Sequence, residues 1–286
     1  MTTKKILSVS ILVAIIAFIG YSIFTSSTSN EAISVRTATI SKETIVETLS
    51  TTGIIKPNQT QEIIGQGLVS EVDVVVGDLV EEDDRLVLYQ DGSEKRAEFK
   101  GTITAVNLSP EEVDLSMQTG ESAIVLADLT NLLVAIQLTK SDAPRVKKEQ
   151  VVTLTSGSKT YQGKVTQLDP TAKVMSGQFG NTAALSATIA FDEASIGLFA
   201  GFDIDTEIVT ETAKDVLSLP IESLLYNAEN KPYVYLVEDG IAKAQLIEVG
   251  TQSDTAVEVK GGLEVDQTII LSPDEKVKDG IAVSKK

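Results

Sequence analysis

The sequence predicts a mainly β protein carrying a single N-terminal transmembrane helix. Three observations predict it: an uncharged apolar run near the start, period-two alternation of apolar and polar residues through the rest, and an internal quasi-repeat. With 286 residues, the chain is longer than one hydrophobic core usually organises, so several modules are expected.

From Ile6 to Phe24 run 19 residues with no charge, interrupted by only three serines, Ser8, Ser10 and Ser22. As a helix rising about 1.5 Å per residue this run reaches about 28 Å, close to the thickness of a hydrocarbon layer. A secretory signal normally has an apolar region of about 7 to 15 residues and ends at an Ala-x-Ala-like site. Here the longer run leads into Thr25-Ser26-Ser27-Thr28-Ser29-Asn30, so an uncleaved anchor is expected. No Cys follows it, which excludes lipoprotein processing. Lys4 and Lys5 precede the run and nothing positive follows until Arg36. The positive-inside bias therefore places residues 1–5 in the cytoplasm, 6–24 across the membrane as a single pass, and the body outside, joined by a flexible tether over 25–32.

Composition removes whole classes of function. The chain has no Cys and no His, so disulfides, thiolate nucleophiles, imidazole bases and the usual zinc sites are gone; no enzyme activity, cofactor or metal is expected. Formal charge is -17; with Lys4 and Lys5 set aside, 22 basic residues face 41 acidic ones, a net of -19 on the body. Such a surface repels phosphate backbones and anionic headgroups, so nucleic acid and peripheral lipid binding are not expected, while a cationic partner is allowed.

Alternation in Glu71-Val72-Asp73-Val74, Thr102-Ile103-Thr104-Ala105-Val106, Lys164-Val165-Thr166, Phe202-Asp203-Ile204-Asp205 and Ala256-Val257-Glu258-Val259 predicts strands. Gly77-Asp78, Asp91-Gly92, Ser156-Gly157, Asp239-Gly240 and Gly261-Gly262 punctuate them at the spacing of small barrels and sandwiches. One short helix is expected near Ser141 to Glu149, with Ser141 or Asp142 as cap and Pro144 in the first turn.

The quasi-repeat carries most information. Gly67-Leu68-Val69-Ser70-Glu71-Val72 is answered 34 positions later by Gly101-Thr102-Ile103-Thr104-Ala105-Val106. Each copy passes a turn, around Gly77 in the first and Ser109-Pro110-Glu111-Glu112 in the second, and ends in an apolar strand closed by Asp91 or Asp128. Two matching halves imply a pseudo-twofold sandwich of interlocked strands, with Gly67, Gly77 and Gly101 at its turns.

That doubled pattern resembles the biotinyl/lipoyl fold and, behind an anchor, the lipoyl-like barrel-sandwich hybrid of membrane fusion proteins, the periplasmic adaptors of export pumps. Later segments fit in order: Leu132–Leu138 leading to the short helix, Leu198-Phe199-Ala200-Gly201-Phe202 where the family has "L-x-x-G-M", Val216–Leu224 for "vl-x-vP-x-x-al", and Gly250 through Gly262-Leu263 to Ile270 for "v-G … GL-x-x-G-d-x-v-v". Phe202 stands where Met is usual and Asp266 where Gly is usual. The resemblance implies strands over 33–58 returning through the C-terminal modules, a lipoyl-like domain over 59–130, a β-barrel domain over 131–211 and a membrane-proximal β domain over 212–286. It further implies a macrolide-efflux-type adaptor partnered with an ABC permease and its ATPase subunit, because the module after Pro220 is complete. Gly261, Gly262 and Leu263 in that module are the expected permease contact, and self-association is left open. A surface-anchored ligand- or peptide-binding protein without a transporter is the alternative.

One departure stands out. Only Gly92-Ser93-Glu94-Lys95-Arg96 separates the halves, too few residues for the long helical hairpin that splits them in most such adaptors and docks on an outer-membrane channel. No such channel is expected here, which suits a bacterium with one membrane.

Other patterns favour plain structure. Lys95 sits where a carrier domain presents its modified lysine, but Glu94-Lys95-Arg96 is unlike a carrier motif and reads as a solvated turn. Gly65-Gln66-Gly67 lacks the third Gly of a dinucleotide loop and precedes a strand. Glu81-Glu82-Asp83-Asp84 lacks the alternation of a calcium loop, and with no Trp a glycosidase cleft has little to stack on sugars. No nucleophile elbow or Walker loop is present, so ATP hydrolysis belongs to another polypeptide.

Overall fold

The computed structural model describes residues 32–177 and 180–286 and is mainly β. The run Ile6–Phe24, with Lys4 and Lys5 before it, lies outside the described residues; among the described ones no helix is long and apolar enough to cross a membrane. The chain divides into two compact units, Val46–Glu211 and the described residues up to Ile45 together with Thr212–Lys286.

In the unit Val46–Glu211, residues 60–127 form two four-stranded sheets. One orders Thr60–Ile63, Ile124–Ala127, Gly101–Val106 and Leu79–Val80; the other orders Glu94–Arg96, Arg85–Tyr89, Gly67–Val72 and Val113–Asp114. Glu94–Arg96, Gly101–Val106 and Val113–Asp114 each begin 34 positions after Thr60–Ile63, Gly67–Val72 and Leu79–Val80. The halves exchange strands: Leu79–Val80 pairs with Gly101–Thr102 of the second half, and Val113–Asp114 pairs with Gly67–Leu68 of the first. Because successive strand residues face opposite sides, Val69, Leu86, Ile103, Ile124 and Leu126 converge between the sheets and are fully buried. Each such aliphatic side chain contributes about 1.5–3 kcal/mol through burial.

The same unit contains a closed six-stranded barrel. Its order is Val151–Ser156, Lys159–Leu168, Gly180–Phe191, Leu132–Leu138, then parts of Ser41–Pro57 and Asp203–Pro220, which pairs back on the first strand through Val152↔Ile208 and Leu154↔Thr206. Closure leaves no free edge, and inward residues such as Ile55, Val134, Ile136, Leu138, Ile189 and Ile208 fill the interior.

In the other unit, a sheet orders Leu225–Tyr226, Pro232–Glu238, Thr268–Leu271, Ile33–Thr39 and Val283–Lys285, with Ile241–Leu246 also on Pro232–Glu238. Period-two alternation gives it two cores. Val234, Leu236 and Ile269 pack on one side with Ile40, Leu219 and Leu263, while Tyr235 and Ile270 pack on the other with Val35, Val277 and Val283.

The helix expected near Ser141 to Glu149 is a single 3-10 turn, Ala143–Arg145, with Pro144 in it and no side-chain cap from Asp142. Val146 is extended and is the segment's buried side chain, so no apolar stripe exists to hold a longer helix. A helical turn that the alternation did not announce lies at Ser116–Thr119, closed by Gly120 in the left-handed region.

Candidate docking site

Structure separates the three turn glycines by physical cause. Gly67 and Gly77 have φ of 114° and 99°, where an L side chain is strained, and neither faces a close neighbour. Gly101 has no positive φ; a Cβ there would stand 2.8 Å from Ala127 O and 2.9 Å from Leu126 Cδ1, so its strand lies too close to Ile124–Ala127 for any side chain.

Beside them lies a buried polar cluster that the sequence did not single out. Asp114, 1% exposed, accepts the Tyr89 hydroxyl at 2.7 Å on Oδ2 and the Ser116 N–H at 2.8 Å on Oδ1. The Gly65 N–H donates to Ser116 Oγ at 2.8 Å, and Ser116 Oγ donates to Gly65 O at 3.1 Å. Burial pushes the Asp114 carboxyl up, but the Ser116 N–H, the Tyr89 hydroxyl and the nearby Lys95 charge outweigh it, holding the group below the usual carboxylate range. The Tyr89 phenol is pushed up by burial and then by Asp114. In the sequence Asp114 follows Glu111-Glu112-Val113 and looks like the end of a solvated acidic turn; only the strand exchange puts it inside.

The segment joining the halves is a hairpin. Ser93 N and Oγ bind Asp91 Oδ1, and Glu94–Arg96 pairs with Arg85–Tyr89. Lys95 is therefore exposed on a strand opposite Val87 and not at the turn, which Gly92 makes. Glu81–Asp84 is an exposed turn, with Glu81 paired to Lys100 and Asp84 accepting the Glu81 N–H. Among the described residues no group of three or more acidic side chains is arranged to hold a metal ion.

In the unit containing Thr212–Lys286, Gly261 and Gly262 line a groove of about 490 Å³ together with Lys231, Pro232, Leu246, Ile247 and Glu248. Gly262 has φ 96°, and a Cβ there would press on Leu246 O, so the groove wall is bare backbone at this residue. Leu246 is 54% exposed at its rim. Leu263 is different: it packs in the core with Ile40, Leu219 and Ile269, so its side chain is withdrawn from the expected contact surface. The residue after a tight turn at a sheet end faces inward here because it closes that core.

Residues 216–285 match the family described as the YknX C-terminal permuted SH3-like domain. YknX of Bacillus subtilis (strain 168), whose name assigns it to an efflux system, is 29% identical over 201 residues, covering 66% of this chain and 51% of its own length. The macrolide export protein MacA of Escherichia coli O157:H7 is 21% identical over 181 residues, covering 61% of this chain and 47% of its own. The chain thus spans about half the length of the curated relatives it matches. Among solved structures, MacA from Actinobacillus actinomycetemcomitans superposes with a TM-score of 0.71 at 16% identity, covering 82% of this chain and 99% of that one.

Proposed function

We propose that this chain, which carries a YknX-like membrane fusion protein domain homologous to the MacA efflux adaptors, is the membrane-anchored extracytoplasmic adaptor of an ABC-type exporter. The observation that carries this reading is a C-terminal module matched over 216–285 in a body whose two lipoyl-like halves are joined by a short hairpin. That pairing suits a protein that works at the near membrane. Ile6–Phe24 spans the membrane with Lys4 and Lys5 inside, and the body stands outside as a non-catalytic subunit. Its permease, with the ATPase subunit, is met through the groove at Gly261 and Gly262, with Leu246 in place of Leu263 as the apolar contact. A partner changes the permease only by binding its alternating states unequally; a coupling of about 1–3 kcal/mol shifts occupancy roughly 5- to 150-fold.

Mild detergent extraction of the tagged full-length protein, followed by mass spectrometry, is expected to recover one permease and its ATPase. In nanodiscs, adding the protein is expected to alter that permease's ATPase rate. Recovery of the protein alone would favour the surface-anchored binding protein instead. Protease applied to protoplasts is expected to digest the body and spare a tag placed before Lys4.

A further inference from the structure

We infer that Ile196–Phe202 is a second docking element, a fixed aromatic knob for a surface of the permease that offers an apolar socket rimmed by lysine or arginine; this rests on the adaptor reading above. The segment leads into strand Asp203–Pro220, and its side chains divide cleanly. Leu198 and Ala200 pack against the barrel core, whereas Ile196, Phe199 and Phe202 are 77%, 67% and 65% exposed. The backbone is pinned on both sides: Gly201 N donates to Ile55 O at 2.8 Å, Ile55 N to Phe202 O at 2.9 Å, and the Tyr161 hydroxyl to Ile196 O at 3.0 Å. The Phe199 and Phe202 rings meet edge to face at 6.3 Å, and Ile54, 49% exposed, belongs to the strand that receives the loop.

A lone exposed apolar residue needs no explanation, but three within seven residues, held outward by an inward-packed pair, form a patch of the kind that marks an interface. Aromatic anchors dominate interface energetics, and a backbone already fixed loses little freedom on docking.

Charge selects the partner. Asp192 and Glu193 precede the knob and Asp203 and Asp205 follow it, all exposed; none of the four enters an ion pair among the described residues. Against them stand Lys159, whose ammonium lies by Gly197, and Lys56 next to Ile55. An acidic rim around an apolar centre is repelled by an anionic bilayer and complements a protein socket with a basic rim.

The test places a photo-crosslinking amino acid at Phe199 of the full-length protein in its native membrane, with Val76 on the lipoyl-like module as the exposed control. Position 199 is expected to crosslink an extracytoplasmic segment of the permease containing Lys or Arg, with a yield that falls as salt rises. Asp192→Lys with Glu193→Lys is expected to lower that yield severalfold. Phe199→Ser with Phe202→Ser is expected to weaken permease recovery about tenfold at an unchanged melting temperature, since both rings are exposed. Crosslinks to lipid or to a second copy, or unchanged recovery by the double serine variant while the wild type holds the permease, would overturn the inference and leave the adaptor reading standing. If the wild type recovers no permease, the adaptor reading itself fails and takes this inference with it.

Discussion

The two halves of the sandwich formed by residues 60–127 follow one backbone plan and are fastened by different chemistry. Up to Val80 residues 34 positions apart occupy corresponding places, and beyond it the offset grows to 37, yet Gly67 corresponds to Gly101, Gly77 to Glu111, Val80 to Asp114 and Asp73 to Asn107. Asp73 N reaches Leu86 O, and Asn107 N likewise reaches Ala123 O, so the correspondence is structural as well as sequential. The first half places apolar Val80 where the second buries a hydrogen-bonded carboxylate, and an exposed ion pair where the second makes a neutral bond. A repeated fold therefore fixes where a side chain must go and leaves open how its position is stabilised.

The largest expected effect separates the two glycines that begin the repeat. Gly101→Ala forces a Cβ into backbone of the neighbouring strand and should cost about 3 kcal/mol. Gly67→Ala meets no close atom and should cost only the left-handed strain, about 1–2 kcal/mol. Urea unfolding by circular dichroism measures both; equal losses would mean that the halves are equally tight at this position.

Next comes the pair Val80 and Asp114. Asp114→Val imitates the first half but leaves the Tyr89 hydroxyl and the Ser116 N–H buried without their acceptor, which should cost about 2 kcal/mol. Adding Tyr89→Phe should cost less than the sum, because the orphaned hydroxyl leaves with it. The folded carboxyl lies below its unfolded value, so its contribution is complete above the unfolded pKa of about 4 and is lost as pH falls through the folded one. Asp114→Val should accordingly show a shallower fall of melting temperature below about pH 4 than the wild type. Parallel curves would sink this assignment.

Smaller again is the contrast of Gly77 and Glu111. Both have positive φ, 99° and 67°, but only the second carries a side chain there. Glu111→Gly should stabilise by about 1 kcal/mol and Gly77→Ala should destabilise by a similar amount. Thermal melts that leave both unchanged would show that neither turn stores strain.

How much of this was legible depends on the range over which each feature is encoded. Strands announce themselves locally, through alternation such as Thr102-Ile103-Thr104-Ala105-Val106, and the repeat shows because turn and apolar letters recur at a constant spacing. Asp114 stayed hidden because its burial is created by pairing with Gly67–Leu68, far away in the chain. Pairing of Ile33–Thr39 with Val283–Lys285 likewise leaves no local trace, and it entered only through resemblance to a family. At the candidate site, Gly261 and Gly262 are readable as a turn; Leu263 joins them as an expected permease contact because nothing nearby reveals that Ile40 and Leu219 close over it. The segment Leu198–Phe202 was read through its family pattern as leading into a strand, which concealed that Phe199 and Phe202 face solvent.

The smallest effect is expected where the halves differ in charge. Arg85 binds Asp73 through Nε at 2.6 Å and Glu71 through Nη2 at 2.7 Å, while the corresponding site of the second half holds Asn107 Nδ2 on Ser122 O at 2.8 Å. The ion pairs have shorter bonds and full charges, yet Arg85 is one-third exposed and Glu71 more than half, so water and salt already satisfy most of what they would lose. The Arg85 hydrogen bond, followed by its charge, holds the Asp73 carboxyl below the usual range. Arg85→Met should therefore let Asp73 titrate at higher pH, a shift that NMR of the carboxyl carbon would detect, while the melting temperature changes no more than for an ordinary surface substitution. That small change should also vanish in high salt, because screening removes the attraction in the wild type as well. A large loss that persists in salt would mean instead that the Arg85 stem packs on the sandwich and that the first half, like the second, depends on a buried tie.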